Sequence, residues 1–187
     1  MNSNLKNMIL AALFLAMGLV LPFFTGQIPA IGNMLLPMHL PVFLCAFICG
    51  WPLGALVGFI LPLLRYVLFG MPIFMPTGLA MAFELASYGL IGGYLYSHDK
   101  YQCVIALYKS MIIAMVGGRI IWGMVQTILL STQGNTFTLM AWISGGFINA
   151  IPGIILQLIL IPSIMVALNK TGLVVFKKRN TNVRYGE

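Results

Sequence analysis

Only 13 of the 187 side chains carry a formal charge, ten Lys or Arg and three Asp or Glu, while 60% of residues are hydrophobic. A soluble domain draws about a quarter of its residues from the charged class. At 7%, this chain cannot shield its apolar surface from water. A water-soluble monomer is excluded, and lipid must be the solvent for most of the chain. The mean hydropathy of +1.00 agrees. Since a membrane-crossing helix takes roughly 20 residues, the length suits about six crossings and leaves no room for a second domain.

Punctuation by Pro, Gly and charge divides the chain into six apolar segments: 8–24, 38–50, 53–69, 77–96, 104–131 and 140–169, with a basic tail at 170–187. The predicted fold class is an all-α integral membrane protein, a single bundle of six transmembrane helices. The second segment is short and carries Pro41. The first lacks a small-residue cleavage site and is expected to be a retained span, not a signal peptide. With six crossings, Lys6, Lys100, Lys109, Lys170, Lys177, Lys178, Arg179 and Arg184 all fall on one side, and the loops 25–37, 70–76 and 132–138 on the other side hold no Lys or Arg. The positive-inside rule then puts both termini in the cytoplasm. The net charge of +7 is thus a topology signal, and Lys177-Lys178-Arg179 is expected to anchor at lipid headgroups, not on nucleic acid. Gly50, Gly54 and Gly58, and likewise Gly89 and Gly93, recur every four residues, the spacing at which helix backbones approach closely in lipid. Cys45 and Cys49 sit in an apolar run and are expected to pack as small hydrophobes.

Three charges remain inside spans: Arg65, Glu84 and Arg119. An ionic side chain at mid-membrane costs about 2.5–3.5 kcal/mol even on the lenient insertion scale, so each should face protein or water. All three fall in the outer half or near the midplane. Arg119, Trp122 and Gln126 share one helical face of the fifth segment, and Thr77, Glu84 and Tyr88 share one of the fourth. On the sixth, Trp142, Asn149 and Gln157 roughly align, with Gly145, Gly146 and Gly153 thinning that side. His39 opens the second. Together these stripes describe a cavity facing outward, with Arg65, Glu84, Arg119, Asn149, Trp122, Gln126, Tyr88 and His39 as candidate substrate-binding residues. A structural Arg–Glu pair is the plainer alternative, but two Arg and one Glu leave one cation over, which water or an anionic ligand must meet.

Catalysis is not supported. One intramembrane carboxylate cannot make a two-carboxylate site, no His/Cys cluster has metal spacing, and no Gly-rich loop ends in Gly-Lys-Ser/Thr, so the chain cannot hydrolyse ATP unaided. No cofactor or metal is expected. A self-sufficient proton-coupled transporter or small oligomeric channel, with Glu84 as its proton-linked group, stays open on the residues alone, although paired broken helices in inverted repeats are not apparent.

Ala12-Leu-Phe-Leu-Ala16 in the first span, and His39-Leu-Pro-Val followed by Gly50-Trp-Pro-Leu-Gly-Ala-Leu-Val-Gly58, resemble the substrate-binding S components of energy-coupling-factor (ECF) vitamin transporters, as do the chain's size and its six-span plan. The resemblance implies a subunit of a prokaryotic plasma membrane that captures a small vitamin at the outer face. It would then topple in the bilayer with a transmembrane coupling subunit driven by two cytoplasmic ATPase subunits. It also implies that Ala12 and Ala16 dock on the coupling subunit and that loop 25–37 serves as a lid. The surplus of positive charge favours a vitamin with a carboxylate or phosphate. Pantothenate fits best; folate, biotin, a flavin or a cobalamin-like ligand stays open.

Overall fold

The computed structural model describes residues 3–25, 34–172 and 174. Among them the chain is helical throughout, with no strand. The first helix, α1, spans Ser3–Val20 and tightens into a 3-10 turn at Leu21–Thr25 around Pro22, whose missing N–H cannot continue an α ladder. Then come α2 (His39–Cys49), α3 (Trp51–Phe69), α4 (Leu79–His98), α5 (Val104–Thr132), the short α6 (Leu139–Ile143) and α7 (Ile151–Lys170). A kinked turn at Phe74–Gly78, extended at Met75 and closed by the Gly78 N–H on the Ile73 carbonyl at 2.8 Å, leads into α4, and a π turn at Ser144–Ile148 leads out of α6.

Among the described residues, five helical stretches are long and apolar enough to cross a membrane: Asn4–Phe24, Trp51–Phe69, Phe74–His98, Val104–Thr132 and Leu139–Lys170. The second apolar segment, expected as a span over 38–50, forms only the 11-residue α2. At 1.5 Å per residue it is about 16 Å long, half of a hydrocarbon core of about 30 Å. Both ends are set by unusual backbone. Leu36 takes a left-handed conformation (φ 50°) ahead of it, and Gly50 (φ 100°) turns the chain into α3. Nine of its 11 residues are buried, because α1, α3, α4 and α7 all pack on it. A helix apolar on every side belongs in the middle of a bundle, and that is where α2 lies.

The glycines at four-residue spacing explain how tightly α2, α3 and α4 fit. A methyl group added at Gly54 would stand 2.5 Å from the Ala46 side chain, and one at Gly58 or Gly89 would strike the backbone of Leu85 or of Gly54 and Ala55. Gly93 fits against Trp51 in the same way. Gly50 does a different job from the other two in its series: it makes the turn. On α1 the buried positions are Ala11, Phe14 and Gly18, while Ala12 and Ala16 face outward. Cys45 and Cys49 are free thiols in the apolar core.

The last apolar segment, expected as one helix over 140–169, is interrupted. The π turn at Ser144–Ile148 and the turn at Asn149 and Ala150 separate α6 from α7, and Pro152 starts the new helix. Gly145 and Gly146 lie inside the interruption, and the extra residue of a π turn rotates the downstream side chains around the helix axis. Trp142, Asn149 and Gln157 consequently do not form one straight stripe.

Candidate substrate-binding site

Glu84 organises the polar centre of the bundle. Its Oε1 accepts from Arg119 Nη1 at 2.8 Å and from the Tyr88 hydroxyl at 3.0 Å, and His39 Nε2 lies 3.5 Å away. Tyr88 comes from one turn along α4, Arg119 crosses from α5, and His39 is the first residue of α2. All four are buried, with exposures of 1% for Glu84, His39 and Tyr88 and 4% for Arg119. The ring of Tyr88 stacks on Phe43 (5.2 Å between centroids) and lies 5.1 Å from the His39 ring. Aromatic packing thereby fixes where the hydroxyl points. An ion pair without solvent holds its geometry only when hydrogen bonds satisfy its remaining donors and acceptors. Here the carboxylate is well supplied, but the guanidinium is not.

Glu84 occupies Nη1 of Arg119, and Nε and Nη2 have no partner among the described residues. Those two N–H groups form the side-on edge of the guanidinium, the edge that grips a carboxylate or phosphate with two parallel bonds. A buried donor left unmet costs about 1–3 kcal/mol, more for a charged group. His39 Nδ1 and the Gln126 carbonyl oxygen are also buried without partners. Gln126 lies two turns along α5 from Arg119 on the same face. The centre therefore offers two cationic donors and two further polar atoms to something outside the described contacts.

The walls come from α5 and the α6–α7 break. A methyl group added at Gly146 would stand 3.6 Å from Trp122 and 3.8 Å from the Arg119 side chain, so this glycine leaves the Trp122 ring and the guanidinium stem open to one another. Trp122 also meets Phe137 edge-on. Trp142 donates from Nε1 to the Arg119 carbonyl at 3.0 Å and packs over Gly123. Beside it is a cleft of about 430 Å³, lined by Ile120, Met124, Thr127, Phe137 and Leu139 among others. At the inner end of loop 25–37, the Leu36 carbonyl accepts from the His39 backbone N–H at 3.1 Å and from Gln157 Nε2 at 3.5 Å. Gly153 lets the backbone of Met34 and Leu35 lie against α7. Residues 26–33 of the expected lid, and the basic run at 177–179, lie outside the described residues.

Six of the eight candidate residues, Glu84, Arg119, Tyr88, His39, Trp122 and Gln126, thus gather around one centre. Two do not. Arg65 is turned to the C-terminal end of α1, where Nη1 donates to the Leu19 carbonyl at 2.9 Å and the guanidinium lies 5.6 Å from the ring centroids of both Phe23 and Phe69. Asn149 is exposed at the α6–α7 break. The charge balance shifts accordingly: Glu84 and Arg119 cancel, and the extra cation belongs to Arg65. What invites an anion is the unmet edge of Arg119, not a net charge. The sequence pattern also gave no hint of Leu36, whose carbonyl enters the site because of a backbone angle. Gly123 and Gly146, in contrast, were open to notice as small residues near a buried Arg.

Compared with known proteins, residues 6–165 match the family model for the substrate-specific component of ECF transporters. No curated protein and no solved structure is similar enough to count as a match. The matched family is a transport subunit, not an ATPase, and works with ECF coupling and ATPase subunits on a small-molecule substrate. A match over most of the chain, on a protein with five membrane-length apolar helices and a buried polar centre, leads to one conclusion: the chain belongs to the family of substrate-specific components of ECF transporters, multi-pass membrane proteins that select what the transporter carries.

Proposed function

We propose that this subunit captures a vitamin bearing a carboxylate, with pantothenate the best fit, on the Nε/Nη2 edge of Arg119. The single observation that supports this reading is that edge: two guanidinium donors without a partner among the described residues in a side chain that is 4% exposed. Glu84 holds the guanidinium in place, Tyr88 holds Glu84, and Trp142 fixes the backbone behind them. Gln126 offers an acceptor for hydroxyl and amide groups, of which pantothenate has several, His39 borders the Glu84 carboxylate, and Trp122 lies against the ligand's apolar body. Both termini are cytoplasmic, as the distribution of Lys and Arg suggests. In a six-span count α2 takes the place of the second crossing. Ala12 and Ala16 lie exposed on α1 and dock on the transmembrane coupling subunit, which two cytoplasmic ATPases drive.

The test begins with what the protein carries. Purified from a membrane extract and denatured, it releases a carboxylate vitamin detectable by mass spectrometry. Replacing Arg119 with Lys keeps the charge but loses the fork, and weakens binding roughly 10- to 100-fold, the worth of one charged hydrogen bond. Release of an uncharged vitamin, or equal affinity in Arg119→Lys, contradicts the reading. Ligand accumulation by liposomes holding this chain alone, driven by a pH gradient, would point instead to a self-sufficient transporter.

A further inference from the structure

Within the protein the centre is balanced: one Glu84 carboxylate against one Arg119 guanidinium at 2.8 Å. A monocarboxylate seated on the free edge of Arg119 brings the buried count to minus one, beside a carboxylate already in place. Uncompensated charge of that kind is costly away from water. We infer that ligand capture is linked to uptake of one proton, and that His39 takes it; the inference rests on the carboxylate reading above.

His39 is placed for this role. Its Nε2 faces the Glu84 carboxylate at 3.5 Å, and its Nδ1 is buried without a partner, with the Leu36 carbonyl beside the ring. With one proton on Nε2, Nδ1 is the position that accepts the second. The groups facing it from the elements packed on α2 are few. From α4 come Glu84 and Tyr88, the latter already donating to Glu84. Arg119 reaches in from α5. On α3 the nearest cation is Arg65, committed to the Leu19 carbonyl and two Phe rings. The ionisable residues of α1 and α7 are Lys6 and Lys170, at the ends of those helices. His39 is thus the group in the centre whose side-chain type titrates nearest neutral pH, and a second carboxylate beside it favours its cationic form. Binding then adds an anion and a proton together, and the loaded site is neutral again.

Isothermal titration of the purified full chain with pantothenate, and with biotin as a second monocarboxylate, in buffers of different ionisation heat reads the proton count directly. An ordinary carboxyl group loses its proton well below pH 6, so both ligands arrive ionised, without the proton. The expected uptake is close to one proton per ligand near neutral pH, with Kd rising up to about tenfold per pH unit as pH increases through that region. Glu84→Gln removes the standing negative charge, so the ligand alone neutralises Arg119; uptake and pH dependence both vanish. His39→Gln leaves the count at minus one and weakens binding at least about tenfold, with no uptake. Binding without uptake in the unaltered chain overturns the inference and leaves the carboxylate reading intact. Uptake that persists in His39→Gln also overturns it, placing the proton on Glu84 or the ligand. If neither ligand binds, the monocarboxylate reading falls and this inference with it. Glu84→Gln alone does not separate a proton on His39 from one on Glu84, so where His39→Gln does not fold, His39→Asn is titrated in its place: loss of uptake supports His39 and persistent uptake overturns the inference.

Discussion

Two arginines of the same helix-buried class end in opposite roles because of what each finds to bond. Arg119 meets a carboxylate on one nitrogen, and its side-on edge has no partner among the described residues; that edge is the part the proposed function gives to the ligand. Arg65 meets a backbone carbonyl and two aromatic faces, and closes the C-terminal ends of α1 and α3 against each other. Phe23 and Phe69 also touch directly, edge to face at 5.0 Å. Cation–π and hydrogen-bond contributions of this kind are worth about 1–2 kcal/mol together. Replacing Arg65 with Leu is therefore expected to lower the thermal midpoint in detergent by that order while ligand affinity stays within about twofold, a change too small to matter on a scale of about 1.4 kcal/mol per factor of ten. A large loss of affinity without loss of stability would return Arg65 to the ligand site.

At the scale of elements, the strongest constraint is the contact among α2, α3 and α4, where Gly54, Gly58 and Gly89 let backbones meet. A side chain at Gly89 has to displace the backbone of α3, whereas one at Gly117 meets only the flexible tip of Ile91. Gly89→Val should cost about 1–3 kcal/mol or more by overpacking, and Gly117→Ala much less, as read from thermal unfolding in detergent; similar losses would refute the close-packed description. The glycine spacing, the shared face of Arg119 and Gln126, and the pairing of Glu84 with Tyr88 one turn apart were all legible in the sequence, because helical periodicity fixes them. The half-length of α2 was not. An apolar run has the same composition whatever length of helix it forms, and the length here is set by the backbone angles of Leu36 and Gly50. The destination of Arg65 was hidden for a related reason: sequence position gives depth along a helix but not the neighbour on the other side. The break between α6 and α7 had a visible signal in Gly145, Gly146 and Pro152, yet those residues alone do not say which way Asn149 turns.

For the whole molecule, the proposed function gives two surfaces separate tasks: ligand selection to the buried centre around Arg119, and docking of the coupling subunit to the face of α1 on which Ala12 and Ala16 are exposed. Because Ala16 faces away from the bundle, Ala16→Trp should leave ligand binding unchanged and abolish ATP-driven uptake when the full transporter is reconstituted in liposomes; retained uptake would remove this face from the docking role. The central claim, capture of a carboxylate by the free edge of a buried arginine, is tested most directly by comparing pantothenate with pantothenol, the same molecule with its carboxylate replaced by a hydroxymethyl group. Both are titrated into the purified chain at one pH. An alcohol cannot accept two parallel bonds from the guanidinium and leaves its charge unmet, so pantothenol should bind at least about a hundredfold more weakly, a difference of roughly 3 kcal/mol. Equal affinity for the two would contradict the account.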